Sequence, residues 1–302
     1  MRGVGVCIFT ETYYPVVGGG ETQARTLAAG LSRRGASVVV LTRRSDPSLQ
    51  TLEEVGPATV HRLAPTGRGQ MKKWGLALTC IPALVRRRRE YDLIFVSGYR
   101  IVGASAVLVG KILGKPAVLK ADSQGEMSGA FFLNGLQRLG ISASNWAFRM
   151  FLWVRNRILQ QAAAFVVISD DHEAELREAG VPARLIHRIP NSVDTERFTS
   201  VTADEQLALR RKLGIPPHRR VAVYTGRLVS YKGLPLLLKV WKELGEKHRE
   251  VQLLLVGTGG LDIHNCEAEL REFVAEHSLG DTVMFTGAVE NVQELSLIHI
   301  SE

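Results

Sequence analysis

The sequence predicts an α/β protein built from two doubly wound parallel-sheet domains in series, the second of them incomplete. Apolar strand-like runs alternate with helical patterns along the 302 residues, and the runs are apolar on both faces, as in parallel sheets covered by helices. The net charge of +8 is also uneven. Residues 1–190 carry 25 Lys and Arg against 14 Asp and Glu, whereas residues 191–302 carry 13 against 16. This asymmetry predicts a domain boundary near residue 190.

The first domain, residues 1–190, is predicted from a regular alternation of elements. Strands are expected at 3–9, 37–42, 58–63, 92–97, 116–120 and 164–169. Helical or long apolar segments are expected between these strands and after the last one. They lie at 21–35, after 58–63 up to about residue 89, at 101–113, over roughly 131–162 and at 170–180. We expect a parallel sheet with helices on both faces.

The second domain, residues 191–302, follows a turn-rich stretch at 188–198. The alternation restarts with strands at 220–226, 251–257 and 281–287, and with helices around 234–245 and 265–278. Three strands make a small sheet for a doubly wound domain, so we expect this domain to be incomplete.

Composition narrows the class of protein. With 45% hydrophobic and 23% charged residues, the chain is typical of soluble globular proteins. Its three cysteines lack metal-site spacing, which favours a reduced, cytoplasmic compartment and argues against a zinc site or a disulfide framework. The longest apolar stretch, 74–85, is too short to span a bilayer. Although RRRR at 86–89 is basic, no nucleic-acid-binding module accompanies it, and we expect no nucleic-acid partner.

The stretch GRLVSYKG at 226–233 places two cations where a strand is followed by a helix. A cation at a helix N-terminus opposes the helix dipole, so Arg227 and Lys232 together indicate an anion at this point. Arg would bind a phosphate group as a fork and Lys as a point charge. The alternative is that both are solvated surface cations.

A second unusual stretch, PVVGGGETQ at 15–23, places three glycines just before a predicted helix. Glycines allow close approach of the backbone to a ligand, and a helix N-terminus offers amide N–H groups to an anion. The first strand is followed by TETYYPVV and not by G-x-G-x-x-G, which counts against a common NAD enzyme. A simple tight turn is the alternative.

Taken together, the Gly-rich loop, PNSVDTERF, GRLVSYKG, LLLVGTGG and FTGAVENV resemble the retaining glycosyltransferases of family 4, from residue 4 to about 294. The resemblance implies the GT-B fold of two Rossmann-like domains. It also implies transfer of a sugar from a nucleotide-diphosphate sugar to an acceptor hydroxyl with retention of configuration and without a metal. The donor would bind the second domain and the acceptor, a lipid, glycan or small molecule, mostly the first.

The resemblance also assigns residues. Arg227 and Lys232 match the family's diphosphate-binding pair, which stabilises the charge of the leaving phosphate. Gly19 and Gly20 match the loop that closes over the same phosphates from the opposite domain.

Other matches are less specific. Gly257, Gly259 and Gly260, in VGTGG, resemble the loop near the nucleotide base, with a simple chain turn as an equal alternative. Asn191 and Asp194 match the N-G-V-D turn, with Ser192 in place of glycine, and we interpret them as structural.

Two departures from the family qualify these assignments. Many members carry a histidine after the strand that matches 116–120, whereas this chain reads LKADSQGEMSG and offers Lys120, Asp122, Ser123 and Glu126. The chain also ends at SLIHISE without the family's E-x7-E stretch, so we expect a C-terminally truncated chain.

The truncation keeps other interpretations open. An inactive remnant and a non-catalytic nucleotide-sugar-binding protein are the main alternatives, and a sugar-nucleotide epimerase is weaker because no acid/base set is evident.

Apolar and basic residues also alternate in two helical segments of the first domain. Trp74, Leu76, Leu78 and Ile81 precede Arg86–Arg89, and FRMFLWVRNRIL occupies 148–159. Such surfaces bind anionic lipid, which predicts weak peripheral contact with the inner membrane face. The alternative is that both are ordinary helices packed on the sheet.

Overall fold

The computed structural model describes residues 3–16, 18–67, 69–132, 142, 144–196, 198, 202–245, 248, 250–260 and 264–289. The chain forms two compact units, Met1–Val193 and Asp194–Glu302, and each is described by itself. The assignment of the acceptor to the first unit and of the nucleotide sugar to the second stays a prediction.

The described part of the first unit contains an eight-stranded sheet. Its strands are β1 (Gly5–Thr10), β2 (Ser37–Arg43), β3 (Leu52–Val55), β4 (Ala58–Leu63), β5 (Leu93–Ser97), β6 (Ala117–Lys120), β7 (Ala164–Val167) and β8 (Ile186–Arg188). Their order is β3-β4-β2-β1-β5-β6-β7-β8, and all neighbours are parallel except the antiparallel pair β3–β4. The chain builds outward from β1 in one direction and then from β5 in the other. A topological switch point therefore lies between β1 and β5.

Helices cover both faces of this sheet. They are α1 (Gly19–Arg33), α2 (Gln70–Arg86), α3 (Tyr99–Leu113), α4 (Trp146–Leu159) and α5 (Asp170–Glu178). Along β1, Cys7 and Phe9 join the core that contains residues of α2–α5, whereas Val6 and Ile8 join the core beneath α1. Burial on both faces explains why β1 is apolar at consecutive positions from Val6 to Phe9 rather than at alternate ones.

Two strands of the first unit were not predicted. β3 contains two glutamates and is only half-buried, because it lies at the sheet edge, so its sequence lacks the continuous apolar pattern. β8 is three residues long.

The helical stretch predicted over roughly 131–162 is not continuous: residues 130–132 are helical, whereas residues 142, 144 and 145 are not. α4 starts only at Trp146, because the Asn145 side chain caps it by accepting the amide N–H groups of Ala147 and Phe148. The part of the prediction at 133–141 lies outside the described residues.

In its described part, the second unit has a three-stranded parallel sheet in the order β11-β10-β9. The strands are β9 (Arg220–Thr225), β10 (Val251–Val256) and β11 (Val283–Gly287), and the helices are α6 (Ala203–Lys212), α7 (Leu234–Gly245) and α8 (Glu267–Glu276). β10 is again buried on both faces, with Leu253 and Leu255 in one core and Leu254 and Val256 in the other.

α6 was not predicted, although Thr202 and Glu205 form a capping box at its start. The α/β fold class with a small second sheet is confirmed. In the part of the chain that the structure describes, no helix combines the length and the apolar character needed to cross a bilayer. The terminal SLIHISE lies outside the described residues.

Candidate functional site

The loop that follows β9 is anchored by apolar residues and presents polar ones. Leu228 and Val229 are fully buried in the core of the second unit, whereas Arg227, Tyr231 and Lys232 are exposed. This pattern explains GRLVSYKG: its central pair fixes the loop to the core while the two cations face solvent. Both cations therefore lie at the carboxyl end of β9, where open α/β sheets bind ligands.

Hydrogen bonds preorganise this loop. Arg227 Nη2 donates to the Tyr231 hydroxyl at 2.8 Å, and the Tyr224 hydroxyl donates to the Arg227 carbonyl at 2.8 Å. Lys232 ends a short 3-10 turn, and Gly233, with φ of 76°, connects it to α7. The first turn of α7 contains no acidic residue. Its N-terminal dipole is thus not neutralised by an acid of its own first turn.

Gly257, in the loop after β10, is required by close packing of two loops. A Cβ atom built on Gly257 would lie 1.9 Å from the carbonyl oxygen of Gly226, and its φ of 132° is unfavourable for other residues. A Cβ on Gly259 would lie 1.7 Å from Asn265 Oδ1. The structure thus brings Gly257 beside the loop that carries Arg227. A position of Gly257 and Gly259 near the nucleotide base stays a prediction.

A carboxylate of α8 holds the loop after β10. The Gly259 amide N–H donates to Glu267 Oε2 at 3.0 Å, and this bond is the main reason that the pKa of Glu267 is lowered. Glu267 also pairs with Arg271 at 2.9 Å, and Asn265 Nδ2 donates to the Gly260 carbonyl at 3.0 Å. The loop shape is therefore fixed by side chains that sequence inspection did not single out.

The predicted glycine loop of the first unit is partly helical. α1 begins at Gly19, two residues before the predicted start, with Gly18 in extended conformation before it. A Cβ on Gly20 would lie 3.1 Å from Asp122 Oδ2, whereas one on Gly19 would meet open space. Closure of Gly19 and Gly20 over donor phosphates stays a prediction.

Asp122, from the segment that replaces the family histidine, lies next to Gly20. Lys120 Nζ is 2.6 Å from Asp122 Oδ1, and Ser97 Oγ donates to Asp122 Oδ2 at 2.8 Å. The carboxyl ends of β5 and β6 thus carry a partly buried lysine–aspartate pair.

Glu126 is fully buried and serves the backbone. It accepts amide N–H groups from Arg100, Asp122 and Ser123 at 3.0–3.1 Å. Burial raises the pKa of Glu126, while these bonds and Arg100 act in the opposite direction. This geometry makes Glu126 a structural carboxylate of the loop.

Two further charged residues hold the same loop from α4 and α5. Glu175 accepts the amide N–H groups of Gly125, Met127 and Ser128 at 2.7–2.9 Å. Arg155 Nε donates to the Arg100 carbonyl at 3.1 Å, and burial lowers the pKa of Arg155 to about 10. The loop 121–129 is therefore fixed on several sides.

A cluster centred on Glu11 was missed by sequence inspection. Lys73 Nζ lies 3.1 Å from Glu11 Oε1, and Arg100 Nη2 lies 3.5 Å from Glu11 Oε2. Glu11 directly follows β1, and Arg100 follows the adjacent β5, so their position at the switch point was a usable signal. Lys73 carried no such signal, because it comes from the start of α2.

The turn after β8 is tied to α1. Gln23 Nε2 donates to the Ser192 carbonyl at 2.9 Å, and the Ser192 amide N–H donates to Gln23 Oε1 at 3.0 Å. A cavity of about 270 Å³ beside this turn is lined by Gln23, Lys120 and Asn191 among others. Asp194 Oδ1 accepts the Glu196 amide N–H at 3.1 Å, which is a local turn bond.

Within the described residues, no group of three or more His, Cys, Asp and Glu is placed to hold a metal ion.

The predicted membrane-binding helices are α2 and α4. Leu76 was assigned to the contact surface wrongly: it is fully buried in the core. Leu78 on α2 is 72% exposed, and Trp146 and Trp153 on α4 are 73% and 62% exposed. Trp74 links the two helices through a ring contact with Phe151 at 5.7 Å. Both helices therefore carry exposed large apolar side chains.

Comparison with known proteins identifies both units. The model of Glycosyltransferase Family 4 matches residues 17–197, and that of Glycosyl transferases group 1 matches residues 205–302. The D-inositol 3-phosphate glycosyltransferase of Corynebacterium jeikeium is 28% identical over 257 residues, which cover 80% of this chain and 58% of the relative. The alpha-D-kanosaminyltransferase of Streptomyces kanamyceticus is 24% identical over 196 residues, covering 65% and 47%. The chain thus spans about half the length of these relatives.

Solved structures agree on the fold. Sucrose-phosphate synthase from Thermosynechococcus elongatus has a TM-score of 0.73 at 24% identity, covering 98% of this chain and 73% of that chain. HepE from Anabaena, in complex with UDP and glucose, has a TM-score of 0.69 at 19% identity, covering 97% and 72%. Together with the family match over more than half of the sequence, the two Rossmann-like units show that the chain belongs to glycosyltransferase family 4, whose fold is GT-B.

Proposed function

We propose that this protein transfers a sugar from a nucleotide-diphosphate sugar to an acceptor hydroxyl with retention of anomeric configuration. Family membership supports a glycosyltransferase. The presence of UDP and glucose in the HepE structure supports a nucleotide sugar as donor.

The observation that carries the proposal is the loop after β9. Arg227 and Lys232 are exposed on a loop fixed by the buried Leu228 and Val229. Cleavage of the bond between sugar and diphosphate places negative charge on the leaving phosphate. Fixed cations stabilise such charge more effectively than mobile water does, because they need no reorganisation during the reaction. These two residues are therefore proposed to support catalysis without a metal ion.

Retention is proposed to follow from the leaving group. In this mechanism the departing phosphate accepts the proton of the acceptor hydroxyl on the face from which it leaves. A pair of carboxylates flanking the bond, as in glycosidases, is then unnecessary.

The test is an incubation of the purified protein with UDP-, GDP- and ADP-sugars and with lipid and soluble acceptors. We expect a nucleoside diphosphate and a glycoside whose anomeric configuration, measured by NMR, equals that of the donor. Donor binding without product would favour the non-catalytic alternative. Conversion of the donor sugar without an acceptor would favour an epimerase, and an inverted product would contradict retention.

We also propose weak peripheral contact with anionic membranes through α2 and α4. The support is the exposure of Leu78, Trp146 and Trp153, with Arg157 lying 5.8 Å from the Trp153 ring centroid. Aromatic and basic side chains together bind anionic interfaces.

Flotation with neutral and anionic vesicles at low salt tests this contact. We expect binding to anionic vesicles that weakens with salt and is lost in a Leu78→Ser/Trp153→Ser variant. Leu236→Ser is the matched control, since Leu236 is 66% exposed but belongs to the second unit. Equal flotation with both vesicle types would contradict the proposal.

A further inference from the structure

Tyr231 is an aromatic residue between the two cations of the loop that follows β9. It is 54% exposed, and its hydroxyl accepts a hydrogen bond from Arg227 Nη2 at 2.8 Å. Arg227 is the residue proposed to hold the diphosphate of the donor. The contact therefore joins an exposed phenol to a cation of the proposed donor site.

The backbone of Arg227 is fixed on both sides of its carbonyl group. The carbonyl oxygen accepts the Tyr224 hydroxyl at 2.8 Å and the Val229 amide N–H at 3.0 Å. The next residue, Leu228, is fully buried in the core of the second unit. The Cα atom of Arg227 thus has a defined position, and the freedom that remains lies in its exposed side chain.

The Tyr231 ring is held from a second loop. Its centroid lies 5.5 Å from that of the His264 ring, and the two rings meet edge to face at an interplanar angle of 86°. The Ser230 amide N–H donates to the His264 carbonyl at 3.0 Å, and Val229 pairs with Asn265 in an antiparallel bridge. The Tyr231 hydroxyl is therefore presented from a fixed backbone by a side chain with only two torsion angles.

An exposed arginine side chain loses rotational freedom when it binds an anion, and this loss weakens binding. The hydrogen bond to Tyr231 restricts Arg227 before a ligand arrives, so less freedom is lost on binding. The neutral phenol occupies one of the five N–H groups of the guanidinium and leaves its charge intact. A carboxylate in the same place would also restrict Arg227, but it would neutralise the cation and compete with a phosphate.

We propose that Tyr231 is a positioning residue that orients the guanidinium of Arg227 toward the diphosphate of the donor. The inference rests on the proposed function, because it takes Arg227 as a ligand of that diphosphate. Tyr231 acts on the phosphate through Arg227, and its hydroxyl rather than its ring carries the effect.

Arginine side-chain NMR of the 302-residue protein tests the contact without any ligand. A hydrogen bond to one Nη group slows rotation about the Nε–Cζ bond, and with it the exchange between the Nη1 and Nη2 signals of Arg227. Tyr231→Phe keeps the ring beside His264 and removes only the hydroxyl, so this exchange should become faster. An unchanged exchange rate in Tyr231→Phe would overturn the proposal.

NMR titration with UDP, which contains the diphosphate, measures the effect on binding. Tyr231→Phe should weaken UDP binding about fivefold, as for loss of one hydrogen bond. The same change should have no effect in an Arg227→Ala protein, whereas it should again cost about fivefold in a Lys232→Ala protein. Lys232→Ala is the matched control, since it removes the neighbouring cation and leaves the bond between Arg227 and Tyr231.

Two results of this cycle would refute the role of Tyr231. Unchanged UDP binding in Tyr231→Phe would show that the hydroxyl contributes nothing. An equal loss in the presence and absence of Arg227 would show that Tyr231 does not act through Arg227.

Tyr231→Glu separates orientation from charge. Its carboxylate would hold the guanidinium but neutralise it, so UDP binding should weaken more than in Tyr231→Phe, and binding as tight as in the wild type would contradict the proposal. The proposed function fails in a different way. If the wild-type protein did not bind UDP, or if Arg227→Ala bound it equally well, the diphosphate site itself would be refuted, and the role of Tyr231 with it. UDP binding that needs Arg227 but tolerates Tyr231→Phe would refute this inference alone.

Discussion

The carboxyl edges of the two sheets are built in opposite ways. In the first unit, Glu126 is fully buried, Arg155 is 5% exposed, and both hold backbone groups of the loop 121–129. In the second unit, Arg227 and Lys232 are exposed, and the loops pack through glycine backbones.

This difference determines whether a substitution lowers the stability of the fold or the binding of a ligand. A buried charge with several hydrogen bonds cannot be changed without a loss of stability, because its partners stay buried and unpaired. An exposed cation on an anchored loop can be removed with little effect on folding, so its loss is expressed in ligand binding. The comparison therefore predicts stability defects in the first unit and activity defects in the second.

The largest expected effect is on activity. In a protein that shows transfer, Arg227→Ala and Lys232→Ala should each lower kcat/KM by about 10²–10³, as for loss of one preorganised charge partner. Melting temperatures should stay at the wild-type value because both side chains are exposed. Steady-state kinetics measures the loss, with the exposed Lys239→Ala on α7 as control. Turnover within about threefold of wild type would remove that residue from the diphosphate site.

Gly257→Ala is expected to be an exception to this contrast, because it should lower the stability of the second unit. The added Cβ would lie 1.9 Å from the Gly226 carbonyl oxygen, and we expect a cost of about 3 kcal/mol in the free energy of unfolding. Denaturant unfolding measures it. Gly280→Ala is the control, because a Cβ there has no atom within 4 Å. Equal stability of the two variants would contradict the observed contact between the loops.

Glu175→Gln should lower the stability of the first unit, as the contrast between the two units predicts. The carboxylate accepts three backbone N–H groups, and an amide would turn a donor toward some of them. We expect a loss of about 2 kcal/mol in the free energy of unfolding of the first unit. Hydrogen exchange of Gly125 and Met127 amides locates the effect. Glu178→Gln, exposed on α5, should be neutral, and a matching loss there would refute the assigned role.

The smallest expected effect concerns pH. Burial, followed by the charge of Arg87, lowers the pKa of His61 below its usual 6.5. The folded protein then binds fewer protons than the unfolded chain between these two values, so stability should fall as pH drops below 6.5. His61→Gln should flatten the pH dependence of unfolding just below pH 6.5. His218→Gln, at an exposed histidine, serves as control. If His61→Gln left the pH dependence of unfolding unchanged, His61 would not be its source.

The sequence alone determined the fold class and most elements of both sheets. Doubly buried strands need continuous apolar runs, and such runs mark β1, β5 and β10 without tertiary information. The motif GRLVSYKG also determined its own burial pattern, since its apolar pair and its cations are local to one loop. Edge strands such as β3 escaped prediction because half-burial leaves an ambiguous pattern.

The tertiary structure alone decided which distant residues meet. Glu11, Lys73 and Arg100 lie far apart in the chain, and no local pattern shows that one carboxylate faces two cations. Likewise, Gly257 is required by the carbonyl oxygen of Gly226 on a neighbouring strand end, a contact set by sheet register. Local propensity follows from neighbours in sequence. Charge balance and close packing follow from neighbours in space, which the folding of the whole unit creates.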